Sequence, residues 1–279
     1  MSKILRKKIM NPTVTLMEVE APLIAAKAQP GQFVIVRADA DGERIPLTIA
    51  DCDRQKGSIT IIFQIVGATT FCLNQLQEGG ALHDLAGPLG NPSDCSAEKV
   101  AIIGGGVGTA IAYPLAKKFF NKNATVHAII GFRTKDLVIL EDEFRAVANQ
   151  FELMTDDGSY GKKGLVTEAL KASLDNGEKY DEVIAIGPLI MMKFVAATTK
   201  PYGVKTTVSM NPIMIDGTGM CGACRLSVNH KMKFACVDGP DFDGHEVDFE
   251  EAMARGSRYR PFEAKAYEAT CNLFKKAVV

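Results

Sequence analysis

One change of rhythm, near Lys99, constrains the fold more than any other feature of the sequence. Up to about Asn91 the apolar runs are short and β-like: VTLMEVEA, GQFVIVRA, IPLTIADC and SITIIFQIV, parted by Pro30-Gly31, Asp41-Gly42 and Lys56-Gly57. Runs of this type at close spacing predict an antiparallel barrel or sandwich. From Lys99 apolar strands alternate with amphipathic helices: KVAIIGGG, a helix through AIAYPLAKKFF, TVHAIIGF, a helix through EDEFRAVANQ, FELMTDDG, a helix through TEALKASL, and DEVIAIGP. That alternation predicts a parallel α/β sheet. After Val208 regular structure fades into a Gly- and Cys-rich stretch, Asp216 to Pro240, followed by a charged tail with helical spacing. The expected architecture is a β-barrel over 1–97, an α/β parallel-sheet domain over 98–208 and a small C-terminal segment over 209–279, a division suited to 279 residues.

Composition excludes several function classes. With 47% hydrophobic and 23% charged residues the chain reads as globular, not disordered. A net charge of -1 offers no broad attraction to phosphate backbones or anionic lipid, so neither nucleic acid nor a membrane surface is expected as a partner. The basic start, MSKILRKKIM, is followed by Glu18 and Glu20 before any apolar run reaches signal-peptide length, and no segment approaches the roughly 20 apolar residues of a membrane span. Seven cysteines, an odd number, without a secretory signal suggest a reducing, cytoplasmic setting and thiols that bind metal or lie buried.

Gly104-Gly105-Gly106-Val107-Gly108 falls between the strand Ala101-Ile102-Ile103 and a helix. Backbone N–H groups and the positive helix end there can face a pyrophosphate, and a side chain at Gly105 or Gly106 would obstruct its approach. The full G-x-G-x-x-G fingerprint is not met, because Thr109 takes its third glycine position, and Arg133, not an acid, follows the strand ending at Gly131. A tight β–α turn without a ligand is the competing reading. The strand ends TDDGSYG, with Asp156 and Asp157, and Gly187-Pro188 would emerge at the same carboxyl edge, where open α/β sheets bind ligands.

Cys221, Cys224 and Cys236 stand in the frame D-x4-C-x2-C-x11-C that begins at Asp216, with Gly217, Gly219 and Gly222 between them. This reproduces the C-x4-C-x2-C spacing of plant-type [2Fe-2S] sites with Asp216 in the first slot. A Cys3His zinc site using His230 competes, although zinc usually pairs its ligands as knuckles. Cys52, Cys72, Cys95 and Cys271 are scattered and read as core or surface thiols.

In the barrel portion Arg44-Ile45-Pro46-Leu47-Thr48 opens one strand, and Gln64 to Thr70 ends another. An arginine beside a hydroxyl can hold a phosphate, as can a helix opened by Gly67, Thr69 and Thr70. A surface arginine and an ordinary strand-to-helix turn explain these residues equally well.

Taken together, these motifs make the chain resemble, over nearly its whole length, the ferredoxin–NADP reductase superfamily. Within it the likeness is to the electron-transfer subunit of dihydroorotate dehydrogenase B and, closer still, to the small (alpha) subunit of the electron-bifurcating NADH-dependent reduced ferredoxin:NADP oxidoreductase. The resemblance implies FAD contacts from Arg44, Pro46, Leu47, Thr48, Phe63, Gln64, Gly67, Thr69 and Thr70. It implies an NAD(H) or NADP(H) site from Gly104 to Gly108, completed by Asp156, Asp157, Gly187 and Pro188. It further implies a [2Fe-2S] cluster on Asp216, Cys221, Cys224 and Cys236, and the run CVDGPDFDGHEVDF resembles the alpha subunit's cluster domain. Asp216 departs from the dihydroorotate-type pattern, which has a fourth cysteine there, but matches that of the bifurcating enzyme.

The implied activity is an NAD(P)H-dependent oxidoreductase subunit that relays electrons between nicotinamide, FAD and cluster. No side chain is expected to act as a nucleophile. A larger flavin and iron–sulfur subunit is the expected partner, with ferredoxin as a further one. The electron-transfer subunit of a dihydroorotate-dehydrogenase- or sulfide-dehydrogenase-like complex, a stand-alone NAD(P)H:ferredoxin reductase and a zinc-stabilised nucleotide-binding regulator remain as alternatives. In the tail, Val247, Phe249 and Met253, then Phe262, Ala266 and Ala269, recur at roughly helical spacing from His245 to Phe274, which suggests helices docking on a partner or packing on this chain's own sheet.

Overall fold

The computed structural model describes residues 1–277, with side chains through Asn272; Phe274, at the end of the expected tail, has its side chain outside the described residues. The first part holds β1 (Ser2–Asn11), β2 (Val14–Glu20), α1 (Pro22–Ala25), β3 (Phe33–Arg37), β4 (Ile45–Asp53), β5 (Ser58–Gln64), α2 (Ala68–Gln75), β6 (Ala81–Leu82) and β7 (Asp84–Leu89). The strands form one antiparallel sheet in the order β6-β1-β2-β5-β4-β3-β7. Its outermost strands, β6 and β7, are separated in the chain only by His83, whose N–H donates to the Arg37 carbonyl at 3.1 Å. One residue thus joins the two edges and brings the sheet close to closure, which removes exposed ladder groups. Ile4, Val19, Val34, Ile59, Ile61 and Phe63 fill the interior.

The basic N-terminus is a barrel strand: Ile4 is fully buried and pairs with Val19, while the lysines and arginine around it line the outer side. Its charges hide the strand from a reading based on apolar runs.

The second part comprises β8 (Lys99–Gly105), α3 (Gly108–Asn121), β9 (Thr125–Phe132), α4 (Glu141–Ala146), β10 (Gln150–Thr155), β11 (Lys162–Lys163), α5 (Val166–Asp175), β12 (Glu182–Ile186), α6 (Leu189–Thr199) and β13 (Lys205–Ser209). In sheet order β11-β10-β9-β8-β12-β13 the neighbours are parallel. The chain runs outward from β8 to β10 and then returns to β12 beside β8, so the order reverses between β8 and β12. Ligands of open α/β sheets bind at such a reversal, beyond the strands' carboxyl ends.

The segment expected to be irregular is more ordered than its glycines suggest. It contains a hairpin, β14 (Arg225–Val228) and β15 (Lys231–Phe234), then α7 (Ala235–Asp238) and β16 (Asp241–Asp243), an antiparallel edge strand on β13. Asn229 and His230, at φ 48° and 57°, make the left-handed pair that a tight hairpin turn requires. The tail forms α8 (Phe249–Ser257) and α9 (Arg260–Ala277). Val247 and Phe249 are buried and Met253 packs beside them on this chain's own core, so the first half of the tail is committed to this chain and not to a partner. In α9, Phe262 is 71% exposed.

One apolar cluster links all three parts: Phe33 and Ile35 of the barrel, Ala101, Val183 and Val208 of the parallel sheet, and Cys224, Leu226 and Cys236 of the C-terminal segment. A second joins Val14, Ala50 and Ile62 to the underside of α3, and the Lys117–Asp51 ion pair (3.1 Å) closes its rim.

Candidate functional site

The reversal between β8 and β12 is built by glycines in close contact. A Cβ on Gly108 would lie 2.4 Å from the Ile186 carbonyl oxygen and 2.7 Å from the Gly187 Cα, so only glycine lets the start of α3 sit against the end of β12. At Gly105 a Cβ would meet the Met191 sulfur at 2.3 Å and the Pro188 ring at 3.2 Å. Gly105 therefore also packs closely against α6, a role that stands beside the one expected of it at the ligand's path. Gly106 differs: at φ +55° it has nothing within 4 Å of a would-be Cβ, so the open space of the loop lies in front of it. Val107 precedes the 14-residue α3 with no side-chain cap on its first turn. An uncapped helix N-terminus behind an open glycine loop fits an anionic pyrophosphate.

Gly187 is half-buried and Pro188 exposed, at the carboxyl end of β12 and flanking that space. Asp156 and Asp157 are exposed beyond β10, on the far side of β9. Ser159 caps Asp157, and the two hydrogen bonds it provides hold that carboxyl below its usual range. The third-glycine position holds Thr109, fully buried, whose hydroxyl has no hydrogen-bond partner among the described residues.

The barrel residues form a second surface. Ile45, Pro46, Leu47 and Thr48 stay half-buried although mostly apolar, whereas the next residues, Ile49 and Ala50, are buried. An apolar strand left half open is what a planar ring system would cover. Phe63 points into the barrel core and can offer only its backbone; Gln64 is half-buried. The Thr70 hydroxyl accepts from the N–H groups of Val66 (3.0 Å) and Gly67 (3.1 Å), and Thr69 donates to Glu43 at 2.9 Å. Thr70 thus shapes the turn, while Gly67 opens on free space at the start of α2.

Arg44 connects this surface to the cysteine segment: its Nε donates to the Ile215 carbonyl at 2.9 Å, next to Asp216. A Cβ on Gly217 would strike Leu89 at 2.7 Å and Ile35 at 3.1 Å, so the cysteine loop is seated directly on the barrel. The partners are far apart in sequence, and nothing local announces this contact.

Cys224 and Cys236 are buried at the base of the hairpin with sulfurs 3.2 Å apart. Burial, and then the neighbouring Cys224, push the Cys236 thiol up to about 12. Cys221 stands at the surface, its thiol lowered first by the Ala223 N–H. Asp216 accepts from Thr218 Oγ1 (2.7 Å), Thr218 N (3.1 Å) and Met220 N (3.0 Å), bonds that lower its carboxyl below the ordinary range. Among the described residues no three His, Cys, Asp or Glu side chains already converge on one metal position. His230 is exposed at the hairpin's tip, the length of the hairpin from Cys224 and Cys236, which removes it from any Cys3His set. The donors that remain, two apposed buried thiols with a third thiol and a carboxylate on the same loop, fit an iron–sulfur group, since thiolates select zinc or iron–sulfur centres and a bound metal deprotonates its thiol ligands.

The fold and these surfaces describe a two-sheet oxidoreductase module carrying a cysteine-rich appendage, and known proteins share it. Residues 211–248 match the iron–sulfur cluster binding domain of dihydroorotate dehydrogenase B. A Thermotoga maritima protein, the dihydroorotate dehydrogenase B (NAD(+)) electron transfer subunit homolog, is 46% identical over 90% of this chain and 88% of its own. The electron transfer subunit of dihydroorotate dehydrogenase B (NAD(+)) from Desulforamulus reducens is 33% identical over 89% of this chain and 98% of its own. A chain in the structure of the NADH-dependent reduced ferredoxin–NADP oxidoreductase, solved for insight into flavin-based electron bifurcation, superimposes with a TM-score of 0.91 at 42% identity, over 96% of this chain and 97% of that one. The chain belongs to the family of dihydroorotate dehydrogenase B-type electron transfer subunits.

Proposed function

We propose that this chain is the electron-transfer subunit of an NAD(P)H-linked oxidoreductase complex of the bifurcating ferredoxin:NAD(P) type, working with FAD, a [2Fe-2S] cluster and a nicotinamide nucleotide. The observation that carries this reading is the seating of the cysteine loop on the barrel through Arg44 and Gly217, with the glycine loop at the neighbouring sheet edge. When bound, FAD converts the two-electron chemistry of nicotinamide into the one-electron chemistry of an iron–sulfur cluster.

The barrel, 1–97, offers FAD the half-open strand of Pro46, Leu47 and Thr48, the backbone of Phe63, Gln64, Gly67, Thr69 and Thr70, and the guanidinium of Arg44. The α/β domain, 98–208, offers the nucleotide Gly104, Gly105, Gly106, Val107 and Gly108, with Asp156, Asp157, Gly187 and Pro188 at its margins. The segment 209–279 holds the cluster with Cys221, Cys224, Cys236 and Asp216. These side chains bind and orient; none is placed to attack a substrate.

A larger flavin and iron–sulfur subunit receives or supplies the electrons, and ferredoxin is the further partner. The complex works in the cytoplasm, a reading supported by its free thiols; no helix among the described residues is long and apolar enough to cross a membrane. The T. maritima and D. reducens relatives make a dihydroorotate dehydrogenase B-type complex the second reading. Flavin, iron, zinc and acid-labile sulfide analysis of the purified chain tests the cofactors: FAD with iron and sulfide is expected, and zinc or absent flavin would sink the proposal. Co-purified chains decide between the two complexes.

A further inference from the structure

The last helix of the chain is held along one side only. α9 runs for 18 residues, yet from Arg258 to Asn272 no described side chain is buried. Its half-buried positions, Tyr267, Thr270 and Cys271, recur at i, i+3 and i+4 and so form one face. That face lies on α2 of the barrel, where the Tyr267 ring meets Phe71 edge to face at 5.8 Å. Phe262, Ala266 and Ala269 fall on the other side of the helix and are exposed. Helices in proteins draw most of their stability from a packed apolar face, and here only three side chains are even half covered.

The corner that leads into α9 combines charge with aromatic surface. α8 is anchored on the α/β domain, where it packs on α6 and Glu250 pairs with Lys193. The chain then turns at Tyr259, whose carbonyl accepts from the N–H groups of Phe262 (2.9 Å) and Glu263 (3.0 Å). The corner thus spans from α6, which follows Gly187-Pro188, to α2, which follows Gly67. Tyr259 is 51% exposed, much as Phe262 is. Around them stand Arg255, Arg258, Arg260 and Lys265 against the single carboxylate of Glu263, in a chain whose net charge is -1. The side chains of Arg258, Arg260 and Lys265 make no hydrogen bond or ion pair among the described residues.

We propose that the α8–α9 corner and the outer side of α9 dock an acidic face of the larger subunit, with Tyr259 and Phe262 in the apolar centre and Arg258, Arg260 and Lys265 on carboxylates around it. Tyrosine, phenylalanine and arginine are the side chains that interfaces concentrate. A second copy of this chain fits poorly, because a two-fold contact through this face would set arginine against arginine. A visiting carrier fits poorly too, since a helix with so little packing of its own needs cover that stays. The inference rests on the reading of this chain as one subunit of a complex and assigns the docking face that this reading leaves open. Because the corner joins helices of both domains, the docked subunit braces the barrel against the α/β domain.

The test uses the full chain with its cofactors bound and the larger subunit purified from the native complex. Association is timed by light scattering, and amide exchange is recorded with and without the partner. The wild type should bind, and its α9 amides should become protected. Phe262→Ala should weaken the complex about thirtyfold, the size of an interface hot spot. Arg258→Glu combined with Arg260→Glu should slow association about tenfold at low salt, and raised salt should narrow that gap. Alone, both variants should keep the wild-type melting temperature and flavin content, since they alter exposed side chains only. Undiminished affinity in the triple variant, with α9 exchange unchanged by the partner, would overturn the docking face and leave the subunit reading standing. A wild type that forms no heteromer would overturn both. Self-association lost in Phe262→Ala would give the face to a second copy instead, and protection of α9 only by added ferredoxin would give it to a carrier.

Discussion

The glycine loop and the cysteine loop are both rich in glycine, but they use it in opposite ways. Around β8 and β12 the glycines are packing elements: Gly108 and Gly105 touch backbone, Met191 and Pro188, and the space for a ligand is what remains in front of Gly106. That site is shaped before anything binds. In the cysteine loop Gly217 seats the backbone on the barrel, but the side chains are unfinished business: Cys224 and Cys236 press sulfur on sulfur, Cys221 faces outward and Asp216 is occupied with its own turn. The first site orders its ligand; the second is ordered by it. Loss of a ligand-holding residue should therefore leave the fold intact in the first region and unmake the local structure in the second.

The largest effect is expected at Cys236. It is buried beside Cys224 in the cluster that joins all three parts of the molecule. Cys236→Ala should abolish iron and sulfide incorporation, with the visible iron–sulfur bands lost, while bound FAD and nucleotide affinity persist. Retention of full iron would show that the thiol is a core residue only, and the contrast between the two loops would fail.

Two substitutions in the glycine loop divide packing from binding. Gly108→Val forces a branched side chain into backbone atoms of Ile186 and Gly187, and overpacking of that kind costs about 1–3 kcal/mol or more, seen as a lower melting temperature. Gly106→Asn places a side chain in open space at a left-handed backbone that asparagine tolerates, so stability should stay near wild type. Its KM for NAD(P)H should rise roughly tenfold, equivalent to about 1.4 kcal/mol of lost binding. An unchanged KM in Gly106→Asn would mean that no pyrophosphate sits there.

Much of this was readable from the sequence where the physics is local. The switch at Lys99, the strand–glycine–helix unit and the cysteine frame each depend on neighbours within a few residues. What escaped reading depends on partners far away. β1 is disguised by its lysines, because only one of its faces is buried. The hairpin Arg225–Phe234 hides in a glycine-rich stretch whose left-handed turn uses Asn229 and His230. The role of Gly105 needs Met191, and the link between flavin surface and cysteine loop needs Arg44 to find Ile215. The tail's periodicity was equally compatible with a partner or with this chain, and Phe249 settles on this chain because β14 and α6 present it with an apolar face.

The finest distinction concerns Asp216, which the frame makes a ligand and the turn makes a cap. As a cap it already accepts from Thr218, Met220 and the Cys221 N–H, which together take up the carboxylate's roughly four acceptor positions, so a bond to iron would replace one of these donors. Cys271, the other candidate for a fourth ligand, lies on α9 hydrogen-bonded with Tyr267, whose ring meets Phe71 of α2. That places it against the barrel's helix α2 and not at the hairpin base. Asp216→Asn keeps an oxygen for the turn but removes the charge. If Asp216 only caps, Asn should preserve the reduction potential and electron-spin signal, and Asp216→Cys should leave both nearly unchanged as well. If Asp216 ligates iron, Asn should lower cluster occupancy, and Cys should retain iron but shift both signals, because cluster potentials follow ligand type, charge and hydrogen bonds to sulfur. We expect the second pattern; a wild-type spectrum in Asp216→Ala together with cluster loss in Cys271→Ala would transfer the role to Cys271.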